Sequence, residues 1–149
     1  MFQSFFPQPK LFFSSLALWS GILILVWYSF GKTIGESLGF DLTETETVIG
    51  LGHFITSEFL WFDTFFAFGA LAFFFVWRSR SPHEWQVWSV LGSALLIYLS
   101  YASVQVSVVI NAWYGPFYND IQTALTGDGG ITASDLYGHF LVFCTIAFP

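Results

Sequence analysis

The stretch WQVWSVLGSALLIYLSYASVQVSVVINAWYGPFYN, Trp85 to Asn119, contains no Asp, Glu, Lys or Arg. As one α-helix it would be about 50 Å long, well beyond the roughly 30 Å hydrocarbon core of a bilayer. It therefore reads as a helix that crosses a membrane and projects past it. Upstream, Leu11 to Gly31 is a second uncharged run, bounded by Lys10 and Lys32 and about 31 Å long as a helix. A third, Phe59 to Trp77, carries Asp63 near its start. Downstream, the apolar run that opens near Leu136 reaches Pro149 before it is long enough to span. The expected architecture is an all-α integral membrane protein, one part of a transmembrane domain. Its spans are expected at about 11–31, 58–77 and 85–113, the last extending to about 125 outside the bilayer, with a truncated fourth at 135–149.

Composition excludes the soluble alternatives. Hydrophobic residues make up 55% and charged residues 9% of the 149 residues, against roughly 25% charged in a typical globular domain. Too few charges remain to coat a water-exposed surface. A net charge of −6 with four Lys and Arg residues leaves no basic footprint for nucleic acid. The single cysteine, Cys144, excludes an internal disulfide and a cysteine-based zinc site, and reads as a buried apolar filler. A cleaved secretory leader fits the first run poorly: its apolar core is too long and Ser29-Phe30-Gly31 is a weak cleavage site.

The cations set the expected orientation. Lys10 precedes the first span, and Arg78 and Arg80 lie between the second and third. The loop after the first span holds Lys32 against Glu36, Asp41, Glu44, Glu46 and Glu58, and the segment after the third holds Asp120, Asp128 and Asp135. The N-terminus is thus expected on the cytoplasmic side, with both acidic loops outside. Trp27, Tyr28, Trp61, Trp113, Tyr114 and Tyr118 would form the outer aromatic belt. Phe12, Phe13, Trp77, Trp85 and Trp88 would form the inner one, leaving Trp19 in mid-membrane. Pro82 suits the first position of the third helix. Thr126 to Gly130 is a flexible break, and Thr132 or Ser134 offers a cap for the fourth helix with Asp135 in its first turn.

Within the long run, Ser89, Ser93, Ser100, Ser103, Ser107 and Asn111 fall inside an arc of roughly 80° at helical phase. Gln105 points to nearly the opposite side. Two readings stay open: small hydroxyl residues packing a neighbouring helix closely, or a stripe lining a hydrated cavity for a polar solute. Asp63 also has two readings, an intramembrane proton carrier or a carboxylate within reach of interfacial water. His53, His83 and His139 fall on different sides of the expected topology and cannot gather round a metal. No catalytic constellation and no cofactor motif appears, so an enzyme is not expected.

Past the stripe comes Asn111-Ala112-Trp113-Tyr114-Gly115-Pro116-Phe117-Tyr118-Asn119-Asp120-Ile121-Gln122. Asn-x-Trp, three residues, Phe-Tyr, then Ile-Gln resembles the signature of the SbmA/BacA-like peptide transporters, whose nearest relatives are membrane domains of certain ABC-type transporters. Ser81-Pro82-His83-Glu84-Trp85-Gln86-Val87-Trp88-Ser89-Val90-Leu91-Gly92 is similar to that family's entry into its long helix. Met1-Phe2-Gln3-Ser4-Phe5-Phe6-Pro7-Gln8-Pro9-Lys10 is similar to its N-terminus. The likeness runs in register through nearly the whole chain. Where the family commonly reads Phe-Tyr-Asp, this chain has Phe117-Tyr118-Asn119, and the carboxylate moves to Asp120, a turn of about 100° on a helix. Asp63 stands where an aromatic is expected.

The resemblance implies an ABC-exporter-like membrane core without an ATP-binding cassette, in a longer, homodimeric parent that imports peptide antibiotics and related solutes on the proton gradient. The chain would be its N-terminal part. The residues expected to line the substrate pathway, on the hydrated-stripe and vestibule readings, are Ser100, Ser103, Ser107, Asn111, Trp113, Tyr114, Phe117, Tyr118, Asp120 and Gln122. Trp113, Tyr114, Phe117 and Tyr118 read either as an aromatic belt beside a Gly115-Pro116 kink or as the rim of a vestibule for Pro- and Arg-rich peptides. The partners expected are lipid, a peptide substrate and a second copy of the parent. The alternatives are the membrane half of an ABC-type transporter for a vitamin or lipid-like solute, and a truncated membrane protein without function.

Overall fold

The computed structural model describes residues 8–43, 48–127 and 130–147. Met1 to Pro7, Glu44 and Glu46 of the acidic loop, Asp128 and Gly129 of the glycine break, and the last two residues lie outside them. Among the described residues the elements are α1 (Pro9–Ser37), a 3₁₀ turn (Leu51–Ile55), α2 (Ser57–Arg80), a π-helical segment (Val87–Gly92) running directly into α3 (Ser93–Thr126), and α4 (Ala133–Ala147), with no strand. Three helices, Pro9–Ser37, Ser57–Arg80 and the continuous Val87–Thr126, are long and apolar enough to cross a membrane. The molecule is a multi-pass membrane protein.

Local chemistry sets the helix ends. Pro9 begins α1 where its missing N–H costs nothing. The Thr56 side chain caps α2 by accepting from Phe59 N at 3.3 Å. Glu58 lies in the first turn of α2, and Arg78 and Arg80 in its last, each complementing the helix dipole. Gly127 ends α3 in the left-handed conformation (φ 73°), open to glycine at no steric cost. Thr132, not Ser134, caps α4. Its N–H and hydroxyl both donate to Asp135 Oδ2 at 2.7 Å, and its hydroxyl accepts from Asp135 N at 3.4 Å. Pro82 lies before a turn at Glu84 and Trp85, ahead of the π segment, and so does not open the third helix as expected.

Helix α2 is the centre of the assembly. It buries 28% of its most apolar window, while α1 and the third span bury 6% each and turn large aliphatic faces outward. Phe12 of α1, Phe73, Phe74 and Trp77 of α2, and Val90 of the π segment form the core where the three meet. Lipid is as apolar as these side chains, so close fit and hydrogen bonds rather than water exclusion hold the helices together.

Tryptophan supplies both. Trp19 Nε1 donates to the Gly69 carbonyl, Trp61 Nε1 to the Gly31 carbonyl and Trp77 Nε1 to Ser15 Oγ, each at 3.0 Å, so three indoles tie α1 to α2. Trp61, Trp77 and Trp113 are buried between helices, as is Phe12. An indole has one donor, and in apolar surroundings a backbone carbonyl is the nearest acceptor. Cys144 corrects another expectation. It is exposed, because Leu136, His139, Phe143 and Ile146 form the face of α4 turned to α3, and Cys144 stands beside that face.

Candidate functional site

Helix α3 presents three separate faces, and these sort the candidate residues. Ser100, Ser103, Ser107, Asn111, Tyr114, Tyr118 and Gln122 are all exposed. They share one face, since steps of three and four residues return to the same side of a helix. The face extends about 33 Å along the axis. Two of its hydroxyls bond within their own helix: Ser100 Oγ donates to the Leu96 carbonyl and Ser107 Oγ to the Ser103 carbonyl, both at 3.0 Å. The Tyr114 and Tyr118 rings stack along it, 5.8 Å apart and 22° from parallel.

Ser89 and Ser93 part from this stripe. Both line a cavity of about 180 Å³ between α1, α2 and the π segment, together with Leu16, Trp19, Phe66 and Phe73. Ser89 is buried, and its hydroxyl donates to the Trp85 carbonyl at 2.9 Å. The physical reason is the π segment. Its i→i+5 pattern takes more than 3.6 residues per turn, so Ser89 falls out of phase with the α-helical arc and turns toward α2.

Trp113, Phe117 and Asp120 leave the exposed stripe altogether and face α4. Trp113 is 4% exposed, stacks on Phe117 at 4.5 Å and meets Phe143 at 5.0 Å; its Nε1 donates to the His139 carbonyl at 3.0 Å. His139 Nε2 donates to Asp120 Oδ2 at 2.8 Å. The carboxylate at position 120 is thus turned to α4, where His139 receives it, while Asn119 stays exposed. The four aromatic residues accordingly divide in pairs, Trp113 and Phe117 packing α4 and Tyr114 and Tyr118 facing out. Pro116 lies inside the continuous helix.

The third face holds a polar group that the sequence reading did not assemble. Asp63 Oδ2 accepts from Tyr98 Oη at 3.2 Å, and Asp63 Oδ1 is buried without a partner among the described residues. The carboxylate is turned between α2 and α3 instead of out toward interfacial water. Tyr101 stacks on Phe62 with ring centroids 4.1 Å apart, and Phe66 lies 5.9 Å from Tyr98. One turn nearer the α1–α2 loop, on the same side of α3, stands Gln105. Gln105 Oε1 accepts from His53 Nε2 at 2.9 Å. Tyr98, Tyr101 and Gln105 stand at i, i+3 and i+7, a helical stripe that was legible; His53, fifty-two residues away, was not.

A further buried polar pair lies at the opposite end of α2. Gln86 is 2% exposed, and its Nε2 and His83 Nδ1 have no partner among the described residues. Both line a small void with Gln8, Phe12 and Trp77. Outside the spans, the Thr43 hydroxyl at 2.6 Å and the Thr43 N–H at 3.1 Å hold the exposed Asp41 carboxyl below the usual aspartate range.

The long third span, its polar face and the aromatic segment after it fall within the part of the chain that known proteins share. Residues 82–149 match the SbmA/BacA-like family, and the chain is consistent with a fragment of that family.

Proposed function

We propose that this chain is the N-terminal part of a transporter that carries peptides, peptide antibiotics among them, across the bacterial inner membrane. In the full-length parent transport is inward, proton-driven and performed by a homodimer, with the N-terminus of each copy in the cytoplasm. One observation carries the reading: the exposed polar and aromatic face of α3, from Ser100 to Gln122, covered by no other helix of the chain among the described residues. A lipid-facing side would be apolar, and a face bearing an amide and several hydroxyls belongs against protein or water. Lining a pathway, the serine hydroxyls and the Asn111 amide offer hydrogen bonds to peptide groups. The paired Tyr114 and Tyr118 rings offer faces to proline and arginine side chains. Acidic residues in both loops on that side favour cationic solutes, an attraction that salt weakens.

The test uses the full-length parent in a strain lacking its own importer. Sensitivity to a Pro-rich antimicrobial peptide is expected to return, to be lost when the proton gradient is collapsed, and to be lost again with Ser107→Trp, which fills the face. Unchanged resistance with the protein present in the inner membrane overturns the reading. Uptake that follows ATP and ignores the proton gradient points instead to the membrane half of an ABC-type transporter.

A further inference from the structure

We infer that Asp63 is a proton-binding site, reached from the membrane side that carries the α1–α2 loop along a ladder of His53, Gln105 and Tyr101. Asp63 lies inside α2, about 9 Å along the helix from its start at Ser57. One carboxylate oxygen accepts from Tyr98 at 3.2 Å and the other is buried without a partner among the described residues. An ionised carboxylate with one bare buried oxygen is costly; no described residue donates to that oxygen, and beyond a neutral donor the remedies in low dielectric are a cationic side chain, a metal ion or a proton.

The first two do not fit. No Lys or Arg pairs with Asp63 among the described residues. Lys10, Arg78 and Arg80 belong to the opposite end of the helices, and Lys32 lies beside Glu36. A bound metal ion wants about six oxygens, whereas no group of three or more metal-ligating acidic, histidine or cysteine side chains occurs among the described residues. A proton on Oδ1 removes the charge and leaves Oδ2 as a carbonyl that accepts from Tyr98.

The approach to this site is also built. The 3₁₀ turn Leu51–Ile55 holds His53 half-buried against Phe59 at 5.9 Å. From His53 the polar groups descend through Gln105 at 2.9 Å to Tyr101, one turn along α3, whose ring stacks on Phe62 beside Asp63. Imidazole and phenol hydroxyl both exchange protons, and Gln105, bonded to His53, stands between the two along α3. Loading forms one O–H bond on Asp63 and unloading breaks it, with no other bond changed. The titratable groups that face Asp63 or its ladder are Tyr98 and Tyr101 of α3, His53 of the 3₁₀ turn and Glu58 of α2 itself; α1 presents the Trp27 indole to Phe62 and Phe65.

This inference rests on the transport reading only for the use made of the proton; the site itself stands on α2 and α3. Its test is therefore spectroscopic and independent of uptake. Infrared difference spectra of the full 149-residue chain in lipid nanodiscs are expected to show a protonated-carboxyl carbonyl band that disappears as the pH is raised. Asp63→Asn removes the band, and Asp63→Glu keeps a shifted one, which separates loss of the site from loss of the fold. Tyr98→Phe raises the band frequency, because the carbonyl loses its donor. Gln105→Leu keeps the band and slows its hydrogen–deuterium exchange. A wild-type spectrum without an Asp63-dependent band overturns the site, and exchange unaffected by Gln105→Leu overturns the ladder. Failure of peptide uptake with the band intact would count against the transport reading alone.

Discussion

Single side chains settle several matters that residue type leaves open. The Asp120–His139 contact joins a carboxylate 25% exposed to a ring 22% exposed, so solvent screens it only partly. Asp120→Asn should loosen α4 from α3 by about 1.5 kcal/mol, the lower range for a hydrogen bond to a charged group. Amide exchange in α4 would then quicken on the order of tenfold; unchanged exchange would show that Trp113 and Phe143 hold the helix alone. Asp41 supplies a pH dependence. Its carboxyl is depressed in the folded chain, so the stabilisation is present above the ordinary aspartate value and disappears as pH falls through the lower folded value. The Thr43 amide should keep its protection at neutral pH and lose it only in acid, and Asp41→Asn should abolish that pH dependence.

At the scale of elements, the α1–α2 contact depends on a small-residue notch. Gly31-Lys32-Thr33-Ile34-Gly35 is a Gly-x-x-x-Gly spacing, and it receives Trp61, whose indole donates to the Gly31 carbonyl. A Cβ on Gly35 would stand 2.9 Å from Trp61 Nε1 and 2.7 Å from Leu42 Cδ1. The leucine can move, but the buried indole cannot without losing its acceptor. Gly35→Ala is expected to cost about 1–3 kcal/mol as overpacking, while Gly21→Ala, with nothing within 4 Å, should be neutral; thermal melts in detergent would rank them. The entry to the π segment carries the opposite defect, a Gln86 amide unpartnered among the described residues. Gln86→Met keeps the volume and deletes the orphan donor, so melting temperature should hold or rise. A sharp fall would show that the amide has a partner in the membrane-embedded protein.

For the whole molecule, the outer surface decides the medium. Leu18 and Leu25 of α1 and Phe68 of α2 are 68–71% exposed, and no polar residue interrupts the apolar windows often enough for water. The chain should stay with the membrane pellet through an alkaline carbonate wash, and release into the supernatant would sink the membrane assignment. The same surface has one polar exception, the α3 face from Ser100 to Gln122. A water-soluble thiol reagent should label Ser103→Cys and Ser107→Cys in the full-length parent and leave Leu25→Cys, on the apolar outer side of α1, unlabelled.

The sequence by itself determined the medium, the three spans and the serine phase along α3, because charge-free length and helical periodicity are local properties of the chain. It also carried two signals that went unread, the Gly31–Gly35 spacing and the Tyr98, Tyr101, Gln105 stripe. Tertiary structure alone decided which aromatic rings pack inward, where the π segment turns Ser89, that Asp120 meets His139, and that His53 joins Gln105 above Asp63. Those pairings depend on how neighbouring helices sit against one another. That geometry is set by the fit of many side chains at once, and no spacing within one segment encodes it.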